Sequence, residues 1–319
     1  TSSLVGSEMC IRDRMSTVTK LYLFSAAIPL VIMFFALYAM TYRLTKPLKQ
    51  MSEAARAMAK GDFSKRIPVT SDDEIGELAV SFNQMTNSLV QLEGMRKSFV
   101  ANVSHELKTP LTSICGISDM LMNGIVKPED VKGFGGDINR EAARLLALVN
   151  DIIRLSELDE GAEDTEKAET TDILEVANDA VKSISGVAKK VGITVTAEGD
   201  STLVNGGKSL IFEMIYNLCD NAVKYNRENG SVKVCVGSAG GSAFIRVSDT
   251  GIGIAPEHID RIFERFYRVD KSRSKQSGGT GLGLSIVKHI ALSLGGKIST
   301  ESKPGYGTEI TVSLPIAEK

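Results

Sequence analysis

The longest uninterrupted apolar stretch of the chain lies near its beginning. Residues 21–42, LYLFSAAIPLVIMFFALYAMTY, contain no charged side chain and are bounded by Lys20 and Arg43. A helix of this length reaches about 33 Å, which is enough to cross the hydrocarbon core of a bilayer. We therefore predict a transmembrane segment over residues 15–42. A buried core helix and a signal peptide with a long apolar region are the alternatives.

The charges around this stretch predict its orientation. Arg43, Lys46 and Lys49 follow it, whereas Lys20 alone flanks its other end. Because positively charged flanks favour the cytoplasmic side of a membrane, we expect residues 43–319 to be cytoplasmic.

The first residues are interpreted differently from the rest. Residues 3–14, SLVGSEMCIRDR, resemble the translation of a transposon sequencing adapter. We expect residues 1–14 to be an artefact of sequence assembly. The chain is then truncated upstream, and a sensing domain with a first membrane span is expected to be missing.

Two helical repeats follow the apolar stretch. Gaps of three and four residues, typical of a coiled-coil seam, separate Leu44, Leu48, Met51, Ala55 and Met58, and then Ile75, Leu78, Phe82, Met85, Leu89 and Leu92. The acidic run at 71–74 suits the start of the second helix. Two short helices joined by a connector at 67–69, below a membrane span, resemble a HAMP signal-relay domain, which we predict over residues 43–95. Plain spacer helices are the alternative.

The next predicted helix carries a histidine on its polar side. In FVANVSHELKTPLTSI (99–114), the apolar residues at roughly helical spacing are Phe99, Val103, Leu107, Pro110 and Ile114. His105 lies off this stripe, Thr109 is one turn further on the same face, and Glu106 is adjacent in sequence. Glu106 is a candidate base, and Thr109 is a candidate for positioning a water. An isolated histidine is usually inert, but these neighbours favour a functional one.

A second amphipathic helix is predicted to pair with the first. Its apolar positions are Ile138, Ala142, Leu145, Val149 and Ile152. Because each helix has only a narrow apolar stripe, a dimeric four-helix bundle is the expected way to close the core. We predict a homodimer, with this region at residues 96–160. Glycines at 133, 135 and 136 predict a frayed or late start of the second helix.

The last part of the chain alternates helical and strand patterns. After a linker at 161–171, strand-like runs at 232–236, 243–249 and 309–315 are separated by helical runs and glycine-rich turns. This pattern predicts an α/β sandwich with a mixed sheet over residues 172–319.

A polar stripe follows one predicted helix of this region. Asn217 and Asn221 are one turn apart, with Glu213 before them and Lys224 and Tyr225 after them. Amide oxygens suit a magnesium ion that shares phosphate oxygens, and Lys224 is placed to contact phosphate. Taken alone, such a stripe is more often a solvated helix face.

Two glycine-rich segments indicate a nucleotide. In DTGIGI (249–254), Asp249 can accept a hydrogen bond from the exocyclic amine of adenine, while Gly251 and Gly253 allow the backbone to approach a ring. In GGTGLGLSIVKHIALSL (278–294), glycines precede an apolar helix whose N-terminus can receive phosphates. The second segment is neither a Walker A loop nor a dinucleotide fingerprint. A strand that ends in an ordinary turn is the alternative for the first.

A candidate lid lies between these segments. IFERFYRVDKSRSKQSGG (262–279) runs from aromatic residues into basic and small ones. Phe263 and Phe266 would dock such a lid, and the cations available for a triphosphate are Arg265, Arg268 and Lys271. A solvated loop is the alternative.

Composition narrows the classes of function. The 37 basic and 39 acidic residues give a formal net charge of −2, so there is no global electrostatic reason to expect direct nucleic-acid binding. The four cysteines are widely spaced and signal neither a zinc site nor a disulfide framework.

Taken in order, these motifs resemble those of bacterial sensor histidine kinases of two-component systems, over residues 21–319. SHELKTPL corresponds to the family's H box, NLCDNAVKYN to its N box, DTGIGI and GTGLGLSIVK to its glycine boxes, and IFERFYR to its F box. The resemblance implies a multidomain protein of the bacterial inner or cytoplasmic membrane. Its parts would be a transmembrane helix, a HAMP coiled coil, a dimeric four-helix-bundle histidine hairpin, and an α/β sandwich ATP-binding domain like those of gyrase, Hsp90 and MutL.

The resemblance also implies roles for individual residues. His105 would accept the γ-phosphate of ATP, Glu106 would help to deprotonate its ring, and Thr109 would serve the reverse dephosphorylation. Asn217 and Asn221 would hold Mg²⁺. The implied ATP contacts are Asn217, Asn221, Lys224, Tyr225, Asp249, Gly251, Gly253, Phe263, Phe266, Arg268, Gly279, Gly281, Leu282, Gly283 and Thr308. The phosphoryl group would then pass to an aspartate of a cognate response regulator.

Two other classes of function fit parts of the chain. The first is a signalling scaffold that binds ATP without turnover, and the intact H and N boxes weigh against it. The second is an ATPase like gyrase or Hsp90, which shares the nucleotide fold but leaves unexplained a histidine on a bundle helix below a HAMP relay.

Overall fold

The computed structural model describes residues 2–159, 169–269 and 279–317. Most of the predicted linker at 161–171, and Lys271 of the candidate lid, lie outside the described residues. The chain forms two compact units that divide between Ser98 and Phe99.

The predicted membrane segment is part of a long helix. Helix α1 runs over Ser2–Met58 and contains Pro29 and Pro47 without ending at either. Its portion Thr19–Met58 is, within the described residues, the one helix long and apolar enough to cross a membrane, and none of its apolar window is buried. A core helix of a soluble protein would be buried, so this exposure argues against the core-helix alternative.

The connector between the relay helices is held by one side chain. The side-chain amide of Asn83 accepts a hydrogen bond from the backbone N–H of Ile67 at 3.0 Å and donates one to the Ile67 carbonyl at 2.8 Å. Ile67 is thereby fixed in a small core with Met51, Ala54 and Ala79. The single chain therefore buries only part of each predicted seam.

Helix α2 runs over Glu74–Met122, so the second relay helix and the histidine helix are one element. Asp73 begins it, because its Oδ1 accepts hydrogen bonds from the backbone N–H groups of Ile75 and Gly76 at 3.0 and 3.1 Å. The acidic run thus caps the helix where the sequence predicted its start. Pro110 lies inside α2 and does not end it.

Helix α3 runs over Val131–Asp159. The expected late start was wrong, since the glycines at 133, 135 and 136 all lie within the helix. The backbone N–H of Phe134 already bonds the carbonyl of Asp130 at 3.1 Å. The long amphipathic stretch that follows offsets the cost of about 1 kcal/mol for each glycine.

The remainder of the chain, here called the C-terminal domain, has two layers. In chain order its elements are β1 (Thr170–Asp172), α4 (Ile173–Lys190), β2 (Thr194–Gly199), β3 (Leu203–Asn205), α5 (Lys208–Lys224), β4 (Ser231–Ala239), β5 (Ser242–Asp249), α6 (Pro256–Ile259), α7 (Gly283–Ser293), β6 (Lys297–Lys303) and β7 (Gly307–Pro315).

The main sheet has the order β2-β4-β5-β7-β6, and β1 pairs with β3 in a separate small sheet. Strands β2 and β4 are parallel and the other neighbours are antiparallel. The predicted strands at 232–236, 243–249 and 309–315 are β4, β5 and β7, which lie side by side. The predicted mixed sheet is therefore confirmed.

The core of this domain includes part of the preceding hairpin. Buried residues of α4, α5 and α7 pack with those of the sheet, and the same cluster contains Leu148, Leu155 and Leu158 of α3. The predicted stripe of α3, which includes Val149 and Ile152, is only half-buried. Helix α3 thus has a second apolar face, which packs against the C-terminal domain.

Asp172 offers a test of how α4 is stabilised, because its Oδ1 accepts a hydrogen bond from the backbone N–H of Leu174 at 2.9 Å. Replacing Asp172 with Ala should cost about 1 kcal/mol, the usual loss for a helix N-cap. Amide hydrogen exchange in α4, measured by mass spectrometry on the full chain in detergent, should become about fivefold faster.

Gly186→Ala is the matched control in the same helix, since an added Cβ there meets nothing within 4 Å. This variant should slow exchange, because alanine is the better helix former. Equal exchange in Asp172→Ala and the unsubstituted chain would contradict the proposed role of the cap.

Candidate active site

A cavity of about 580 Å³ opens between α5, the end of β5 and the segment before α7. The predicted ligand residues that line it are Asn217, Asn221, Lys224, Tyr225, Asp249, Gly253, Arg268, Gly279, Gly281, Gly283 and Thr308. Motifs far apart in the sequence therefore converge on one cavity.

Four predicted contacts are not among the described lining residues, and they support the cavity instead. Gly251 donates its backbone N–H to Asp249 at 2.8 Å. Leu282 is fully buried. Phe263 and Phe266 pack against the hydrophobic core.

Asp249 lies at the end of β5, with its carboxylate fixed by the backbone. Its Oδ1 accepts hydrogen bonds from the N–H groups of Gly251 at 2.8 Å and Thr308 at 3.2 Å. Burial raises the pKa of the Asp249 carboxyl, and these two hydrogen bonds oppose the rise. Because both bonds involve Oδ1, Oδ2 is available to accept from a ligand.

The backbone at Gly251 has no room for a side chain. A Cβ there would collide with the carbonyl oxygen of Tyr225, which accepts a hydrogen bond from the N–H of Ile252 at 3.2 Å. The turn after β5 is therefore packed directly on the end of α5.

Asn217 and Asn221 of α5 both line the cavity. The amide nitrogen of Asn217 donates to the Glu213 carbonyl at 3.0 Å, and that of Asn221 donates to the Asn217 carbonyl at 3.1 Å. Because these bonds hold the nitrogens against the helix, the oxygens are the free acceptors. Glu213 itself pairs with Arg154 of α3 at 2.8 Å.

Two cationic side chains, Lys224 and Arg268, line the cavity. Lys224 is 2.6 Å from Asp220, one turn earlier on α5. Arg268 has only 7% of its side chain exposed and lies 3.8 Å from Glu106. Burial lowers the pKa of the Arg268 guanidinium, and Glu106 opposes this effect.

Phe266, in the described part of the candidate lid, packs against neighbouring segments. Phe266 has a φ of 64°, and its N–H donates to the Gly281 carbonyl at 2.9 Å. Its ring lies 5.8 Å from that of Phe99 on α2. The described part of the candidate lid thus contacts both the glycine-rich segment before α7 and the histidine helix.

Sequence reasoning missed the contribution of α3. Ala147 and Asp151 line the cavity, and the Asp151 carboxylate accepts a hydrogen bond from the Thr280 hydroxyl at 2.7 Å. Burial raises the pKa of the Asp151 carboxyl, while the bond from Thr280 lowers it. No local motif marks Asp151, because its role depends on packing between distant segments.

The histidine lies on the surface of α2, with 80% of its side chain exposed. His105 Nδ1 is 3.9 Å from Glu106 Oε1. The Thr109 hydroxyl donates to the His105 carbonyl at 3.2 Å. The three residues predicted to act together therefore lie within one turn of helix.

Glu106 joins this group to the cavity. Its Oε2 lies 3.7 Å from Arg144 of α3 and 3.8 Å from Arg268. One carboxylate thus faces the histidine ring with one oxygen and two guanidinium groups with the other.

Comparison with known proteins agrees with this organisation. Residues 39–91 match the HAMP domain, and residues 95–161 match the His Kinase A (phospho-acceptor) domain. Residues 206–318 match the family described as histidine kinase-, DNA gyrase B-, and HSP90-like ATPase.

Individual proteins show the same likeness. BaeS of Escherichia coli, a signal transduction histidine-protein kinase, is 33% identical over 88% of this chain and 60% of BaeS. The sensor protein CutS of Streptomyces coelicolor is 32% identical over 91% of this chain and 70% of CutS. The histidine kinase ThkA, solved in complex with the response regulator protein TrrA, shares the fold, with a TM-score of 0.58 and 23% identity over 71% of this chain and 64% of that chain.

The fold and the cavity define an ATP-binding α/β domain joined to a phospho-acceptor helix hairpin and a HAMP relay. The chain belongs to the sensor histidine kinase family. It spans about three fifths of the length of BaeS. The apolar α1 and the HAMP match are those of a membrane-anchored protein.

Gly251→Ala tests whether the crowded turn shapes the cavity. The added Cβ must displace the Tyr225 carbonyl or the turn that fixes Asp249. We expect about tenfold weaker binding of a fluorescent ATP analogue, measured by titration of the full chain in detergent. Gly186→Ala serves as the control, with unchanged affinity. Unchanged affinity in Gly251→Ala would show that the turn is not part of the ligand site.

Proposed function

We propose that the chain is an ATP-dependent protein-histidine kinase that phosphorylates its own His105 and passes the phosphoryl group to an aspartate of a response regulator. The observation that carries the proposal is the position of Glu106. Its carboxylate lies between the exposed histidine ring and Arg268, which lines the nucleotide cavity. The candidate acceptor and the candidate phosphate site are thereby neighbours.

The histidine would react as a nucleophile through Nε2. Glu106 faces Nδ1, so a proton held on Nδ1 leaves the lone pair on Nε2, the nitrogen further from the carboxylate. Attack on the γ-phosphorus forms the N–P bond and breaks the bond to the bridging oxygen, whose electron pair leaves with ADP. The Nδ1 proton then passes to Glu106 or is stabilised by it.

Asn217 and Asn221 fit a magnesium site. Their amide nitrogens are occupied by backbone carbonyls of α5, so their oxygens are available as ligands. Mg²⁺ would neutralise charge on the triphosphate. Lys224 and Arg268 would hold the phosphates from the same end of the cavity.

The other end of the cavity suits adenine. Asp249 Oδ2 would accept a hydrogen bond from the exocyclic amine, while Gly253 and Thr308 border the same space. Tyr225 and the glycines at 279, 281 and 283 would complete the contacts with the nucleotide.

Thr109 would serve the reverse reaction. Its hydroxyl lies one turn beyond His105 on the exposed surface of α2, where a water could be positioned for hydrolysis of a phosphorylated regulator. Glu106 is close enough to assist.

A homodimer would complete the hairpin. More than half of the side chain is exposed at Leu111 of α2 and at Leu146 and Ile153 of α3. A second copy would cover these residues in a four-helix bundle. The domains would then be the relay (43–95), the hairpin (96–160) and the ATP-binding domain (172–319).

The charges that flank the apolar helix and the likeness to sensor kinases support a location for each part of the chain. The positively charged flank at Arg43, Lys46 and Lys49 supports a cytoplasmic location for residues 43–319, below a bacterial inner or cytoplasmic membrane. The ThkA complex with TrrA supports a response regulator as the partner.

His105→Gln is the direct test of the kinase. The full chain in membrane vesicles, incubated with Mg²⁺ and γ-labelled ATP, should acquire an acid-labile, alkali-stable label. The variant should acquire none, because glutamine has no imidazole nitrogen to form the N–P bond, while its affinity for an ATP analogue should be unchanged. Label retained in His105→Gln would overturn the assignment of the acceptor.

Asn221→Ala should also abolish the label in the same assay, since it removes a proposed magnesium ligand. Asn178→Ala is the matched control, because Asn178 makes the same bond to a carbonyl four residues earlier, on the exposed face of α4. Equal labelling of the two variants would argue against a role for Asn221.

Asp249→Asn tests the adenine contact. The Asn oxygen would keep the bonds from Gly251 and Thr308, so its NH₂ group would face the donor amine of adenine. Loss of a bond to a charged acceptor should weaken ATP binding at least about tenfold.

Asp179→Asn, at an exposed position of α4, should leave the affinity unchanged. Because burial raises the pKa of Asp249, the affinity of the unsubstituted chain should fall on acidification at a higher pH than an ordinary aspartate would give. This decrease should be absent in Asp249→Asn. A matching decrease in Asp249→Asn would contradict the assignment.

A further inference from the structure

Two arginines share one oxygen of Glu106, and they come from different parts of the fold. Arg144 lies on α3, beside the histidine helix, with 17% of its side chain exposed. Arg268 lies in the described part of the candidate lid. Both guanidinium groups lie within 3.8 Å of Oε2, and the other oxygen, Oε1, is the one nearer to His105 Nδ1.

The two arginines differ in their relation to the cavity. Arg268 lines it, whereas Arg144 is absent from the described lining. A triphosphate in the cavity would compete with Glu106 for Arg268, since a guanidinium binds phosphate and carboxylate in the same way. Arg144 would keep its contact with Glu106, because it is not among the described residues that line the cavity.

We propose that Arg144 is a positioning residue for phosphoryl transfer, an inference that rests on the proposed kinase function. Arg144 anchors Oε2 of Glu106, so that Oε1 stays directed at Nδ1 of His105. The 3.9 Å separation of Oε1 from Nδ1 must shorten by about 1 Å to make a hydrogen bond. A carboxylate anchored at one oxygen needs only a small rotation to do so. An unanchored one is drawn to solvent or to Arg268.

The step that Arg144 supports is the deprotonation of the ring. As Nε2 forms its bond to phosphorus and the bond to ADP breaks, positive charge develops on the imidazole. Glu106 Oε1 then takes or stabilises the Nδ1 proton. Arg144 touches neither ATP nor the histidine in this scheme and acts only through Glu106.

Arg144→Met should therefore lower kcat for autophosphorylation by about tenfold, with the KM for ATP nearly unchanged. Arg144→Lys, which retains a cation, should recover part of the rate. Arg140→Met is the control, because Arg140 lies one turn earlier on α3 and pairs with Asp137. That variant should keep the original rate. A raised KM with unchanged kcat in Arg144→Met would assign Arg144 to phosphate binding and overturn the proposal.

A double-mutant cycle separates positioning from a merely structural role. If Arg144 acts through Glu106, Arg144→Met should cost nothing further in the Glu106→Gln background. Equal losses in both backgrounds would mean that Arg144 supports the hairpin in some other way, and the proposal would be wrong.

A second readout needs no kinase activity. Diethylpyrocarbonate modifies imidazole nitrogens, and His105 is exposed enough to react. The rate of His105 carbethoxylation, followed by mass spectrometry with His258 and His289 as internal references, should fall to the same extent in Arg144→Met, Glu106→Gln and the double variant. Equal reactivity of His105 in Arg144→Met and the original chain would refute the positioning role.

The two proposals can fail separately. If the original chain acquires no label with ATP and Mg²⁺, the kinase function is wrong as proposed. The carbethoxylation comparison would still decide whether Arg144 controls the environment of His105 through Glu106.

Discussion

The packing of α3 against the C-terminal domain is the contact on which the site depends. Three leucines of α3 are part of the core of the C-terminal domain, and each is at least 95% buried. They are Leu148, Leu155 and Leu158. Burial of a leucine is worth about 1.5–3 kcal/mol, whereas an exposed ion pair is worth about 0–1 kcal/mol. The apolar centre therefore provides most of the stability of this interface. The ion pair of Asp159 with Arg265 at its edge mainly sets the orientation.

The same packing brings acidic groups to a site proposed for phosphate. Asp151 comes into the cavity on α3, and Glu106 reaches Arg268 from α2. Each carboxylate has a partner on the C-terminal domain, and those partners, Thr280 and Arg268, border the cavity. The contacts that hold the hairpin against the C-terminal domain are therefore also contacts that position residues of the cavity. If the hairpin separated from the domain, it would expose three leucines and remove one wall of the cavity.

Much of this architecture could be predicted from local pattern. The strand-like runs at 232–236, 243–249 and 309–315 correspond to β4, β5 and β7. The Asn217–Asn221 spacing places both amides on one face of α5. What could not be predicted depends on contacts between segments far apart in sequence. Asp151 and Arg144 carry no motif of their own, and their roles appear only when α3 is packed. The glycines near the start of α3 led to a wrong prediction of a late helix start. Helix propensity is a local property, and the remainder of a long helix can override it.

Local hydrogen bonds also explain how the cavity can be ready for a ligand before one binds. The amide nitrogens of Asn217 and Asn221 are held by carbonyls of their own helix, and Asp249 Oδ1 is held by two backbone N–H groups. In each case one polar atom of the side chain makes hydrogen bonds with the backbone, and the side-chain oxygen that remains is available to accept a hydrogen bond or bind a metal ion. Fixing these groups in advance removes part of the entropy that binding would otherwise cost. Glu106 follows the same rule on the hairpin, with one oxygen held by arginines and the other directed at the histidine.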